Sequence, residues 1–212
     1  MNLILVRHGE TDWNRQKRFQ GHIDIPLNSQ GIWQAQQAAR ALADLGIEQL
    51  FSSNLLRAQI TAEAIAGVCG CAVQTDPRLR EKGFGNWEGL TYAEIKEQDA
   101  DGFARWREDP SFYTPSGGEG FEVAARRVAR AWQEIETVAA ETVALVSHGG
   151  TLRILLRQLL GLAPDSYWHI KLDNASLSIL KISRAGNRII SINDTRHLYE
   201  QLAFGSQLSG ND

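Results

Sequence analysis

Cysteine is scarce in this chain of 212 residues: there are two, Cys69 and Cys71, one residue apart. With no cluster of histidine or aspartate beside them they make no zinc site, and they read as small residues at a helix-to-strand junction. No apolar run reaches the roughly 18 residues that a membrane-spanning helix requires. The first apolar run starts within two residues of Met1, so it is expected to be a strand and not a signal peptide. An excess of positive charge is also missing. Lys+Arg number 22 against Asp+Glu 25, a net charge of −3, which gives no surface for nucleic acid. There is no HExxH spacing, no dinucleotide fingerprint, no P-loop and no internal repeat. What is left, 43% hydrophobic and 22% charged residues, is ordinary for a globular protein. The length suits one domain, residues 1–212, with a small lid at about 91–120. A cytoplasmic setting is the expectation.

Two stretches of the chain end in the same way. Leu3-Ile4-Leu5-Val6 is a continuous apolar run, the pattern of a parallel strand covered on both faces, and it runs into Arg7-His8-Gly9-Glu10-Thr11. Val143-Ala144-Leu145-Val146 does the same and runs into Ser147-His148-Gly149-Gly150. Open α/β sheets bind ligands at the carboxyl ends of their strands. Two strands that each deliver a histidine there can bring both to one spot.

Between these strands the pattern alternates. Asn28 or Ser29 caps a helix expected to run to about Leu45 and to end at Gly46. A short strand at 49–52 leads into a helix from near Arg57 to about Val68, and residues 71–74 form another strand. Residues 80–89 are a glycine-rich loop with charged and aromatic side chains. Thr91 and Glu94 form a capping box. Phe103, Trp106, Phe112 and Tyr113 follow in the polar lid segment. A long helix is expected over about 121–140, with Arg126, Arg127 and Arg130 on a solvated face. A helix from about Thr151 to Leu160 closes at Gly161, and two strands flank the turn Ala185-Gly186-Asn187 as a hairpin. The tail from Leu202 is expected to fray. Strands alternating with helices predict a three-layer α/β/α sandwich whose mainly parallel sheet carries an antiparallel edge.

The candidate chemistry follows from residue type. A neutral imidazole is a competent nucleophile, and guanidinium groups bind phosphate in a two-pronged fork. His8 next to Arg7 therefore suits an anionic substrate, with phosphate the natural candidate. Arg57 can point to the same sheet edge. Gly149-Gly150 opens a helix whose first amides are expected to bind phosphoryl oxygens. Taken singly, each of these residues has an ordinary structural reading. Their joint occurrence at strand ends carries the weight. Two histidines could instead bind metal, but the carboxylates expected at strand ends for that are missing.

Arg7-His8-Gly9-Glu10-Thr11 with Asn14 resembles the signature of the histidine phosphatase superfamily, the group that contains phosphoglycerate mutase. The resemblance extends over most of the chain, through Gln20-Gly21, Pro26-Leu27, Ser52-Ser53, Arg57-Ala58, Leu79-Arg80-Glu81, Gly85-Asn86-Trp87-Glu88-Gly89, Gly118-Glu119 and Val146-Ser147-His148-Gly149. It implies a phosphoglycerate mutase-like fold. It further implies that His8 carries the phosphoryl group, that Arg7, Arg57 and His148 hold its oxygens, and that Glu81 is general acid and base. Asn14 and Gly149 would add hydrogen bonds, Gln20-Gly21 would line the substrate side, and no cofactor or metal is required.

Cofactor-dependent mutases of this kind carry a longer insertion after the Glu81 loop, with extra basic residues. Here residues 91–120 offer Lys96, Arg105 and Arg107 with no adjacent arginine pair, so a phosphatase acting on a small-molecule phosphate ester is expected over a mutase. Gly117 to Phe121 and Trp168-His169 resemble α-ribazole phosphatases. Asp173 to Ser176 and Thr195 to Leu198 resemble metal-independent phosphoserine phosphatases, in which a histidine tends to stand where this chain has Phe84. A sugar or glycolytic phosphate is the third candidate. A non-catalytic phosphate-binding role is disfavoured by the presence of His8, Arg57, Glu81 and His148 together. Pairing of two copies through an edge strand would give a homodimer.

Overall fold

The computed structural model describes residues 1–109 and 113–199, and for Pro164, Asp165 and Trp168 the backbone alone. Phe112 and the tail from Leu202 lie outside the described residues. Six strands form one sheet: β1 (Asn2–Arg7), β2 (Gln49–Ser52), β3 (Val73–Thr75), β4 (Thr142–Ser147), β5 (Leu177–Lys181) and β6 (Arg188–Asp194), in the order β3-β2-β4-β1-β5-β6. β3, β2, β4 and β1 are parallel, and the expected hairpin β5-β6 adds an antiparallel edge beside β1.

Alternation along the central strands divides the interior in two, because successive strand side chains point to opposite faces. Leu3, Leu5, Val143 and Leu145 face the helices α6 (Phe121–Ile135) and α7 (Gly149–Leu160). Ile4, Val6, Ala144 and Val146 face α2 (Ser29–Leu42) and α3 (Leu56–Cys69). This is the three-layer sandwich that the alternation predicts. α6 illustrates the local cause: Phe121, Ala124, Ala125, Val128, Ala131, Trp132 and Ile135 recur at helical spacing and are all buried.

Two helices are shorter than expected. α2 is capped by the Asn28 side chain on the Gly31 amide, as its sequence suggests, but it stops at Leu42. There the bonds tighten to the i→i+3 kind, and Leu45 is left exposed. α6 stops at Ile135, where the Thr137 hydroxyl bonds to the Glu134 carbonyl at 2.7 Å and competes with the helix ladder.

Three short helices complete the fold: α1 (Asp12–Arg15), α4 (Tyr92–Gln98) and α5 (Ala100–Glu108). α4 begins with the expected Thr91–Glu94 capping box. The aromatics of the segment 91–120 do not stand alone. Phe103 and Trp106 join Trp87 and Ile95 in a small third core, with Phe19, Phe84, Leu90 and Tyr113 packed around it. Phe19 meets Phe84, Trp87, Tyr92 and Trp106 edge-on, the arrangement that the ring quadrupole favours.

The turn after β1 is pressed against the start of α2. A Cβ on Gly31 would overlap the Glu10 backbone, and one on Gly9 would overlap the Gly31 carbonyl. Alanine at position 31 would gain about 1 kcal/mol in helix propensity. Overpacking against backbone costs typically 1–3 kcal/mol, and the rigid neighbour makes that the larger effect here. Gly31→Ala is therefore expected to lower the midpoint of urea unfolding; an unchanged or raised midpoint would show that the loop and α2 are not in close contact.

Candidate active site

The parallel pairing of β1 with β4 sets the centre of the site. Arg7 stands opposite Ser147, and the His8 amide donates to the Ser147 carbonyl at 3.0 Å. The next residue of each strand, His8 and His148, therefore lies beside the other, with ring centroids 5.1 Å apart. β2 lies on the other side of β4, and the Ser53 amide donates to the Val146 carbonyl. α3 starts three residues after Ser53, which brings Arg57 to the same edge.

The hydrogen bonds fix the tautomers. His8 Nδ1 lies 2.7 Å from the Gly9 carbonyl, which can only accept, so Nδ1 carries the proton and Nε2 keeps its lone pair. Burial, followed by Arg57 and Arg7, pushes the His8 imidazole well below its ordinary range. Arg57 Nε donates to His148 Nδ1 at 3.2 Å, so the neutral His148 carries its proton on Nε2, 2.8 Å from the Ser53 hydroxyl oxygen. Burial, then Arg57 and His8, push His148 down as well.

Arg57 is the largest fully buried side chain among the described residues, at 0% exposure. Its Nη atoms donate to the carbonyls of Ile23 and Gly21 at 2.9 and 2.8 Å. Burial lowers its pKa to about 10, and burial with Arg153 lowers Arg7 to about 10, so both remain cations at neutral pH. Arg7 donates to the Leu172 carbonyl at 2.6 Å, while its buried Nε has no partner among the described residues. An unmet buried donor costs roughly 1–3 kcal/mol until an acceptor arrives.

Glu81 corrects one expectation. Two of the first amides of α7 do not stand open for a phosphoryl group: Gly150 and Thr151 both donate to the Glu81 carboxylate at 3.0 Å, and Lys82 N–H adds a third bond at 2.9 Å. The helix N-terminus thus holds the acid. A Cβ on Gly150 would collide with that carboxylate and lie 2.8 Å from the Tyr167 hydroxyl, so the glycine makes room for it.

Arg127 corrects another. It is half-buried, not on a solvated face like Arg126 and Arg130. It pairs with Glu119 at 2.6 Å and donates to the carbonyls of Arg78, Arg80 and Glu81. It clamps the loop that carries Glu81 against α6. Its spacing among other arginines hid this, because only the path of the loop over α6 reveals the contact.

These groups open on a cavity of about 150 Å³ lined by Arg7, His8, Asn14, Gln20, Gly21, Arg57 and Glu81, together with Lys17, Arg18, Phe19, Phe84 and Tyr92. The lining carries four cations and one carboxylate, a field that favours an anion. Asn14 Oδ1 accepts from Thr11 and from Asn174 Nδ2, which also donates to the carbonyls of His8 and Gly9. Gly149 is buried against the Arg7 guanidinium, 3.5 Å from where its Cβ would be. Ser53, Thr151 and Asn174 had no role in the sequence reading. Ser53 and Asn174 lie in motifs that mark the family resemblance, and that was the available signal. Phe84 lines the cavity, whereas His197 bonds to the Ala175 carbonyl outside it.

The family model described as the histidine phosphatase superfamily (branch 1) matches residues 3–195. The chain is 34% identical to phosphoserine phosphatase 1 of Hydrogenobacter thermophilus, over 94% of this chain and 95% of that one. It is 39% identical to a probable phosphoglycerate mutase of Proteus mirabilis, over 84% and 83%. Among solved structures it is similar to the α-ribazole phosphatase of Shigella flexneri, with a TM-score of 0.85 at 32% identity, over 92% and 96% of the two chains.

Three predictions follow from the geometry. Long-range 15N NMR is expected to show His8 neutral and protonated on Nδ1 at pH 6; titration at or above 6.5 would contradict the burial argument. An unfolded imidazole takes up a proton near 6.5, while folded His8 and His148 resist it. Stability is therefore expected to fall as pH drops below ~6.5, by up to about 1.4 kcal/mol per pH unit for each histidine. Gly150→Ala is expected to keep the fold but displace Glu81, lowering kcat for phosphate release about 10²-fold if Glu81 has the proton-transfer role that the family resemblance implies; unchanged kcat would mean that Glu81 need not sit on α7.

Proposed function

Because the chain belongs to branch 1 of the histidine phosphatase superfamily, we propose that it hydrolyses a small-molecule phosphomonoester through a phosphohistidine on His8, without a metal ion. The observation that carries this reading is the lone pair on His8 Nε2, left free by the bond from Nδ1 to Gly9 and flanked by the guanidinium groups of half-buried Arg7 and buried Arg57.

In the first step Nε2 attacks phosphorus in line, and the bond from phosphorus to the alcohol oxygen breaks. Arg7, Arg57 and His148 hold the three outer oxygens as charge redistributes. The Arg7 Nε without a partner supplies one donor. The phosphoryl group also gives His148 an acceptor in place of Ser53. Glu81 in its protonated form gives its proton to the leaving oxygen. In the second step its carboxylate takes a proton from water, the water oxygen bonds to phosphorus, and the N–P bond breaks to release phosphate. Asn14, Gln20 and Gly21 line the cavity around the ester, and Asn14 and the Gly149 amide add hydrogen bonds.

Hydrolysis is favoured over transfer between hydroxyls by the cavity wall. Lys96, Arg105 and Arg107 are exposed and do not line it. The segment 91–120 contributes Tyr92 to the lining and no cation. Phosphoserine, α-ribazole phosphate and glycolytic or sugar phosphates remain the candidate substrates, and the cytoplasm is the setting we propose.

A rapid-quench experiment with 3-phosphoglycerate tests both points. The expected results are an acid-labile, base-stable phosphoenzyme lost in His8→Ala, phosphate released faster than 2-phosphoglycerate forms, and no effect of a chelator. Full activity in His8→Ala would remove the mechanism, and isomerisation outrunning release would make the protein a mutase.

A further inference from the structure

Lys17 has a backbone that does not suit it. Its φ is 57°, in the left-handed region that glycine enters freely and other residues enter at a steric cost. The turn is built on α1: Lys17 N–H donates to the Asn14 carbonyl at 3.0 Å and Arg18 N–H to the Trp13 carbonyl at 2.9 Å. A turn of this shape has no need of a lysine, and the exposed side chain contributes nothing to a core.

Its surroundings give a reason for the charge. Lys17 lines the cavity, and among the described residues it forms no ion pair. Its neighbour Arg18 also lines the cavity but is engaged, with Glu94 at 2.7 Å and the Gly89 carbonyl at 2.6 Å. The buried end of the cavity is where His8 and Arg57 stand, so the exposed Lys17 marks its mouth. A second observation comes from the same loop. Gln20 is 8% exposed, lines the cavity, and its buried Oε1 has no partner among the described residues. A buried acceptor left unmet by the protein points to a donor on the ligand.

We propose, on the basis of the phosphatase reading, that Lys17 is a specificity-determining residue. It selects phosphate esters whose alcohol half bears a second anionic group, a carboxylate or another phosphate, while Gln20 accepts from a hydroxyl on the same half. One cation from the loop after β1 thus gives the site a second anchor, without the basic insertion that mutases carry.

The test compares kcat/KM for 3-phosphoglycerate, fructose 1,6-bisphosphate and p-nitrophenyl phosphate in the full chain and in Lys17→Gly, Lys17→Met and Lys17→Arg. The ratio of anionic ester to p-nitrophenyl phosphate is expected to fall by about two- to fivefold in the Gly and Met variants, the range of a partly exposed ion pair, and to act through KM. Lys17→Arg is expected to restore it, and added salt to erode it in the unaltered protein alone. Lys17→Gly relieves the left-handed strain, so its thermal midpoint is expected to hold or rise, which keeps the result readable. A loss confined to 3-phosphoglycerate assigns a carboxylate, and one confined to the bisphosphate assigns a second phosphate. An unchanged ratio, or p-nitrophenyl phosphate preferred by the unaltered protein through its aromatic ring on Phe84 and Tyr92, overturns the assignment and leaves the phosphatase reading intact. Failure to release phosphate from any of the three esters sinks that reading instead.

Discussion

The parallel register of β1 on β4 is the constraint from which the site is built. Neighbouring strands lie about 4.8 Å apart, so residues that follow paired strand ends are brought into contact whatever their type. Here those residues are His8 and His148. The register is held by the two cores and not by the histidines. A slip of one residue would send Leu3 and Leu5 toward α2 and α3, and Ile4 and Val6 toward α6 and α7. The geometry of His8 and His148 is thus protected by apolar packing on both faces of the sheet.

Electrostatics then act on that frame. Arg57 is buried completely, and its cost is offset by directed bonds to two carbonyls and one imidazole nitrogen. Those bonds also tie α3 to β4 and to the loop at Gly21. Next to two such cations an imidazole is held neutral, which is the state a nucleophile needs. The one carboxylate in the lining accepts from the Gly150 and Thr151 amides, and its charge offsets only part of the field of the two guanidinium groups. An incoming anion meets unbalanced positive charge and a donor without a partner. In the proposed reaction these are the features that draw in the phosphoryl group and stabilise charge on it.

The third core extends this logic to the wall of the cavity. Phe19 follows the loop after His8, Phe84 and Trp87 follow Glu81, and Tyr92 and Trp106 come from the segment 91–120. Packing these rings together couples three segments distant in sequence. The loop that carries Glu81 is gripped from one side by this cluster and from the other by Arg127 on α6. Position of the acid is therefore a property of the whole loop and its supports.

Much was legible in the residues alone. Continuous apolar runs ending in Arg7-His8-Gly9 and Ser147-His148-Gly149 announced buried parallel strands with polar ends, and alternation with amphipathic helices announced the sandwich. Periodicity and turn chemistry are local, so they survive in one dimension. Tertiary structure alone decided which amides would be spoken for, where an arginine among arginines would point, and how the rings of the segment 91–120 would be shared. Arg127 and Arg126 are neighbours in the chain, yet one grips the Glu81 loop and the other meets water. The Gly150 amide reads as open until the path of Glu81 is known. Such partners come from distant parts of the chain, and their pairing is set by the packing of layers, which no spacing within a single segment records.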